Sequence, residues 1–383
     1  MIDDLSVVDE WGPEKIVCVS DARTGMRGVL VIDNTARGPG KGGTRMSPTL
    51  TVGEVARLAR VMTWKWAAVD LYFGGAKAGI RADPHRHDRE AILRAFVRAL
   101  ANEIPAEYVL GLDMGLTERD AATVQDELGD RGAAVGAPGA LGGVPYDEWG
   151  ITGFGVAEAV DAAARHRGLD LRDARVVVQG FGAVGSAASA RLAELGARVV
   201  AVSSVDTVVY DADGLDVGRL VAARAELGEA ALAEVAGHRR LAPGAELELE
   251  ADILVPAATQ DVIDVRIARA LGCRLVVEGA NLPISPPAQE VLARRGITVV
   301  PDFIANAGGV VAAAYAMDAR RSPFAPERGA IFVAVSEKIR ANTTAVLVES
   351  DRTGATTHAT AQRLAADRVR AAMELKSRFP VPA

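Results

Sequence analysis

The segment ARVVVQGFGAVGSAASARLAELGARVVAVS, residues 174–203, constrains the fold more tightly than any other stretch of the chain. Val176–Val178 is a β-branched run, Gly180, Gly182 and Gly185 form GxGxxG directly after it, a helical stretch runs to Gly196, and a second β-branched run follows. Strand, tight turn, helix and strand within about 30 residues make the βαβ unit of a dinucleotide-binding fold. The first glycine permits the turn, the second lets a pyrophosphate approach the backbone, and the third lets helix and strand pack closely. Unpaired N–H groups at the helix start then favour the phosphates. The residues Gly180, Phe181, Gly182, Ala183, Val184 and Gly185 are therefore expected to hold NAD or NADP. At the end of the second strand Ser203 and Ser204 stand where an acid would meet the ribose 2′-OH, with Asp206 two residues on. Small hydroxyls accommodate a 2′-phosphate and Asp206 offers the acid from a shifted position, so both cofactors remain open.

Apolar runs at ADILVPAA (251–258), CRLVVEGAN (273–281) and GITVVPDF (296–303) read as further strands. Between the last two, Ser285, Pro286 and Gly296 bracket a short helix. Strands alternating with helices predict a parallel, doubly wound sheet. Upstream, VLVIDNTARGPGKGG (29–43) reads as a strand delivering a loop, with Lys41 at its tip. A helix is expected from Asp88, as its cap, through Ile92, Ala95, Phe96, Ala99, Leu100 and Ile104. The Gly/Pro-rich passage 136–155 marks a boundary, and residues 328–377 read as two helices.

With 383 residues the chain exceeds what one core serves, so two domains are expected. A net charge of −7 argues against a nucleic-acid surface. Cys18 and Cys273 lie far apart without CxxC spacing, which suits a reducing cytoplasm. The acidic start MIDDLSVVDEW does not resemble a secretory signal, and no window is long enough to span a membrane. His85 and His87 lack zinc-site spacing, and no metal is expected.

Lys41 in GPGKGGTRM, Lys65 in MTWKWAAVD and Lys77 in GGAKAGI each sit among glycines or apolar residues. Any one of them alone reads as a lysine that snorkels to water. Three together point to a pocket that holds an anion and tunes an amine by burial. Asp113 in YVLGLDMG is an acid in a similar setting, readable equally as a turn or helix cap.

These motifs, with GITGFGVAEA, VQGFGAVG, LVPAA, VEGANLPIS and VPDFIANAGGV, resemble in order and spacing the glutamate/leucine/phenylalanine/valine dehydrogenase family over roughly residues 25–320. The resemblance implies an α/β chain with a mixed α/β substrate domain, residues 1–145 plus 335–383, and a Rossmann-type domain, residues 146–334, with the active site in the cleft between them. It implies reversible NAD(P)-dependent oxidative deamination of an L-amino acid to a 2-oxo acid and ammonia. On the matching positions, Lys65 binds the α-carboxylate, Lys77 is a catalytic lysine of low pKa and Asp113 exchanges protons with the amino group. Thr152, Ala257, Asn281 and Asn306 fall at cofactor positions, and the glycines beside Lys77 would give substrate access. A cytoplasmic homo-oligomer is implied, with dimers to octamers in the family.

Substrate choice turns on the side-chain pocket. The resemblance implies that Lys41, where glutamate enzymes place a lysine, favours a distal carboxylate, and that Gly42, Gly111 and Val310, at pocket positions, leave room for a glutamate-length side chain. Ala313, however, stands where glutamate enzymes carry a serine hydroxyl, and Glu148 where many carry an arginine. Glutamate is favoured over an apolar, aromatic or unusual amino acid, and a non-catalytic ligand-binding relative is the reading of another class.

Overall fold

β-branched and apolar residues open the chain with an antiparallel pair, β1 (Lys15–Asp21) and β2 (Met26–Asn34). The computed structural model describes residues 7–146, 148–172, 174–235 and 237–376. The acidic start, read above as unlike a secretory signal, falls partly on residues 1–6, outside these. The chain packs as two units. The first holds the residues up to Pro145 with Val310–Ile331 and those from Leu364, and the second holds Tyr146–Gly309 with Phe332–Arg363.

In the first unit β3 (Gly40–Met46), α1 (Val52–Ala68), β4 (Gly74–Ile80), α2 (Arg89–Ala99), β5 (Tyr108–Leu112) and α3 (Glu118–Leu128) follow the opening pair. The sheet runs β1-β2-β4-β3-β5, with β3 parallel to both β4 and β5. Lys41, expected at a loop tip, is instead the second residue of a central strand. Its glycine neighbours mark close packing, since a Cβ on Gly42 would lie 1.7 Å from the Ala76 carbonyl oxygen. The glycines around Lys77, expected to open a path for substrate, serve a similar end. A Cβ on Gly75 would lie 2.0 Å from Thr63 Oγ1, so α1 is able to seat directly on β4. α2 starts after Asp88 as expected, yet the Asp88 carboxylate does not cap it. Arg86 takes that carboxylate at 2.6 Å, a charge-assisted bond that outcompetes a neutral N–H. Ile92, Ala95 and Phe96 of α2 bury against Ile80, Tyr108 and Leu110.

The second unit contains α4 (Ile151–His166), β6 (Arg175–Gln179), α5 (Ala183–Glu194), β7 (Arg198–Ser203), β8 (Val208–Tyr210), α6 (Val217–Leu227), α7 (Ala231–Glu234) and β9 (Arg239–Leu241). It continues with β10 (Ile253–Pro256), α8 (Val265–Ala270), β11 (Leu275–Val277), α9 (Pro286–Arg294), β12 (Thr298–Val300) and α10 (Asp302–Ala305). Its sheet runs β12-β11-β10-β6-β7-β8-β9. The five strands from β12 to β7 are parallel, and β8 and β9 extend that edge in antiparallel pairing. The winding reverses between β6 and β10, which creates a crevice at the carboxyl ends of those two strands.

Three helices end the chain: α11 (Gly308–Ala319), α12 (Arg328–Thr353) and α13 (Thr357–Leu375). They do not return to the first unit once at 335, as the sequence division has it; the chain passes between the units at 310, 332 and 364. The reason lies in buried charges. Arg340 of α12 pairs with Glu158 and Asp161 of α4, whereas Arg368 of α13 donates to the Ala67 and Ala68 carbonyls that end α1, at 2.7 and 2.8 Å. Among the described residues no helix is long and apolar enough to cross a membrane.

Candidate active site

Side-chain alternation sets Lys41, Gly43 and Arg45 on one face of β3. In register on that face stand Gly75 and Lys77 of β4, and Gly111 of β5 followed by Asp113. α1 covers the same face through Gly75, and it carries Lys65 in its last turn. The sheet thus brings three of the four charged residues singled out from the sequence onto one surface, with the fourth on the helix against it.

Lys77 Nζ donates to Asp113 Oδ2 at 2.7 Å. The pair reaches across Gly43, where a Cβ would come within 2.8 Å of the Asp113 Cβ. Lys77 is buried, at 8% exposure, with this carboxylate beside it. Burial acts to raise the Asp113 carboxyl, and the Lys77 charge and hydrogen bond, with the Arg45 charge, outweigh it and hold the group below the usual carboxylate range.

Arg45 was not singled out from the sequence. Its Nε donates to the same Asp113 oxygen at 3.2 Å, and its Nη1 to Glu54 at 2.8 Å. Once residues 40–46 are read as a strand, the alternation 41, 43, 45 puts Arg45 beside the lysines; read as a loop, it has no defined face.

Lys41 is the deepest of the three lysines, at 3% exposure. Its amine lies 3.4 Å from the Gly42 carbonyl oxygen, and it has no ion pair among the described residues. Gly111 makes the room, since a Cβ there would lie 2.3 Å from Lys41 Nζ. Burial, then the charges of Lys77 and Arg320, push the Lys41 ammonium down to about 7. Val310 and Ala313 lie half-buried one turn apart on α11.

In the second unit Gly180 has φ +91°, and a Cβ on it would lie 2.7 Å from the Ala258 Cβ, so the turn after β6 meets the end of β10 at the crevice. Ala257 N–H donates to the Gln179 carbonyl there at 2.7 Å. A Cβ on Gly185 would lie 1.7 Å from the Gly180 oxygen, whereas Gly182, at the start of α5, faces open space. That combination of a tight turn with an open, N–H-bearing helix start fits a pyrophosphate. Ser203 corrects one expectation. It is buried, accepts from Gly180 N–H at 3.0 Å and donates to Glu246 at 3.0 Å, so it braces the turn instead of facing a ribose. Ser204 is half-buried and Asp206 exposed, and Ser204 Oγ accepts from the Asp206 N–H at 3.3 Å. Asn306 Nδ2 donates to Asn281 Oδ1 at 3.2 Å, and Thr152 Oγ1 lies 3.1 Å from where a Cβ on Gly309 would be. Asn281 and Asn306 therefore meet, and Thr152 lies against Gly309, three residues beyond Asn306. Sequence reading also missed what holds them: buried Glu278 accepts from the Asp302 N–H at 2.7 Å and pairs with His358 at 2.9 Å.

The profile described as Glu/Leu/Phe/Val dehydrogenase, dimerisation domain, matches residues 13–129, and that described as Glutamate/Leucine/Phenylalanine/Valine dehydrogenase matches residues 142–377. This chain belongs to that family. Like its relatives, this amino acid dehydrogenase uses NAD or NADP. It is 40% identical over 294 residues to glutamate dehydrogenase of Thermotoga maritima, covering 74% of this chain and 70% of the relative. It is 34% identical over 316 residues to the NADP-specific glutamate dehydrogenase of Saccharolobus shibatae, with 78% and 74% covered. The NAD-specific glutamate dehydrogenase of Staphylococcus aureus is 36% identical over 289 residues, with 72% and 68% covered. Among solved structures, the hetero-hexameric glutamate dehydrogenase from Thermus thermophilus in its Leu-bound form superposes with a TM-score of 0.82 at 33% identity, covering 98% of this chain and 93% of that one. L-tryptophan dehydrogenase from Nostoc punctiforme gives 0.75 at 25% identity, covering 96% and 99%.

Proposed function

We propose that this dehydrogenase deaminates L-glutamate reversibly, giving 2-oxoglutarate and ammonia. The observation that carries the choice of substrate is Lys41, a buried cation with no carboxylate of its own among the described residues, set in room left by Gly111. An isolated buried charge is costly, and a substrate carboxylate relieves that cost.

In this reading Lys65 holds the α-carboxylate, which fixes the face of the α-carbon presented for reaction. When bound, the nicotinamide supplies the hydride acceptor. Asp113, kept ionised by Lys77 and Arg45, takes the proton of the substrate ammonium. Asp113 passes that proton to solvent before water attacks the imine carbon. Lys77, hydrogen-bonded to Asp113, then relays the water's proton to it and hydrogen-bonds the carbinolamine oxygen. Asp113 gives that proton to the nitrogen as the hydroxyl loses its own to solvent and ammonia leaves. The glycine turn at 180–185 holds the pyrophosphate, and Thr152, Asn281 and Asn306 meet the nicotinamide end.

Ala313 favours a second reading, an apolar or aromatic amino acid, because it offers no hydroxyl to a distal carboxylate. A relative named L-tryptophan dehydrogenase shares the fold across most of both chains. The deciding experiment follows reduced nicotinamide while NAD+ or NADP+ is offered with L-glutamate, L-norvaline, L-leucine and L-tryptophan. The glutamate reading expects the highest kcat/KM on glutamate. A preference for leucine or tryptophan overturns it, and no turnover with any amino acid in either direction overturns the catalytic reading altogether. We also propose that the enzyme is a cytoplasmic homo-oligomer, in keeping with its cysteine usage and with the match of residues 13–129 to a dimerisation domain.

A further inference from the structure

We propose that Arg320 is a second specificity-determining cation beside Lys41, and that the two together bind the distal carboxylate of an acidic amino acid. The inference rests on the glutamate reading and deepens it.

The starting point is the hydroxyl missing at Ala313. Val310, Ala313, Met317 and Arg320 follow one another at spacings of three, four and three, which places them along one stripe of α11 and its last turn. Arg320 N–H still donates to the Ala316 carbonyl at 3.0 Å, so the helical turn extends to it. The stripe that carries the pocket positions 310 and 313 therefore ends on a guanidinium.

That guanidinium is not spent on structure. Its Nη1 donates to the Met317 carbonyl of its own helix, its Nε is buried with no hydrogen-bond partner, and it has no ion pair among the described residues. Arginines elsewhere in the same unit contrast with it: Arg37, Arg45, Arg60 and Arg89 all hold carboxylates.

Its place in the fold brings it towards Lys41. Ala316 and Arg320 line a small cavity together with Val135, Gly136 and Ala137. The Val135 N–H donates to the Leu110 carbonyl at 2.9 Å, and the next residue of β5, Gly111, is the one that makes room for Lys41 Nζ. The Arg320 charge is also felt at Lys41, where it acts with burial and Lys77 to push the ammonium down. Buried Lys41 and half-buried Arg320 repel each other, and although the Asp130 and Asp318 charges also act on Arg320, neither cation holds a carboxylate in an ion pair among the described residues. A carboxylate entering between them satisfies both, and the planar guanidinium offers it paired N–H donors that a serine hydroxyl could not.

The test compares Arg320→Met and Arg320→Lys with the wild type. One readout is kcat/KM on L-glutamate against L-norvaline, whose side chain ends in a methyl group in place of the carboxylate. The other is calorimetric binding of glutarate to the protein without cofactor. Arg320→Met should lower the glutamate-to-norvaline ratio about 10- to 100-fold and weaken glutarate to a similar degree, with Arg320→Lys recovering part of both. An unchanged ratio with intact glutarate binding overturns the role of Arg320 while leaving the glutamate reading in place. Equal losses on both substrates with a lower melting temperature make Arg320 structural and overturn it too. A wild type that prefers norvaline to glutamate removes the glutamate reading, and this inference with it.

Discussion

Lys41 shows how burial turns a residue into a sensor of its ligand. In the free enzyme its ammonium is pushed down to about 7, so at a pH of about 8 most Lys41 side chains are neutral. A carboxylate placed against the amine favours the charged form, so binding should draw in a proton. The sign is fixed by the direction of the shift. Below about 7 the lysine is already charged and uptake vanishes, and above about 7 it approaches one proton per ligand. Glutarate has no amino group to confuse the count, and calorimetry in buffers of different ionisation enthalpy reads it directly. At a pH of about 8 we expect nearly one proton taken up by the wild type and none by Lys41→Met. Zero uptake by the wild type would mean that Lys41 does not meet the carboxylate. At this scale Lys65, Lys77 and Asp113 stand out in the sequence as charges in apolar company, whereas Arg45 does not. The pairing is less legible, because Asp113 Oδ2 is shared by Lys77 and Arg45 across strands, and cross-strand neighbours depend on a register that the sequence does not print.

At the scale of elements, the same residue type carries opposite meanings. In the turn after β6 the glycines read as a pyrophosphate turn, since GxGxxG between two β-branched runs has few other uses. In β3 and β4 glycine meant close packing, yet GPGKGG reads as a loop because glycine is poor in strands and rich in turns. Tertiary packing of α1 on β4 overrode that local preference. Within the turn, geometry separates the glycines into two kinds. A Cβ at Gly185 meets the Gly180 carbonyl oxygen at 1.7 Å, while one at Gly182 meets nothing within 4 Å. Gly185→Ala should therefore destabilise the second unit by about 1–3 kcal/mol, seen as a lower melting temperature without any ligand. Gly182→Ala should melt like the wild type and bind NAD(P)+ about tenfold or more weakly, because its methyl occupies the space the pyrophosphate needs. If Gly182→Ala binds the dinucleotide normally, the pyrophosphate does not lie over that turn.

For the molecule as a whole, the path of the last helices shows what sequence pattern leaves out. The tail reads as helical in the sequence, but the membership of α12 in the second unit rests on Arg340, which is about 180 residues from its partners Glu158 and Asp161. Glu158 is fully buried, and Arg191 at 2.8 Å and Ser336 at 2.6 Å share it with Arg340. For both carboxyls burial acts to raise the titration, and the hydrogen bonds and charges around them, chiefly from Ser336, Arg191 and Arg340 for Glu158 and from Arg340 and Arg165 for Asp161, bring it below the ordinary range. A lowered carboxyl contributes stability that is present above the unfolded value of roughly 4 and is lost as pH falls through the folded value. Arg340→Met removes the guanidinium common to both acids. Because Arg191 and Ser336 remain at Glu158, the cost should lie at about 2–4 kcal/mol, near the lower end for breaking a buried pair. The variant should also begin to lose stability at a higher pH on acid titration than the wild type, since its carboxyls are protonated more readily. Urea unfolding at neutral pH and across the acid range measures both effects. Adding Glu158→Gln and Asp161→Asn to the variant should recover much of the loss, because neutral amides leave no buried charge uncompensated. If that triple variant is as unstable as Arg340→Met alone, apolar packing of α12 and not its ion pairs assigns the helix to the second unit.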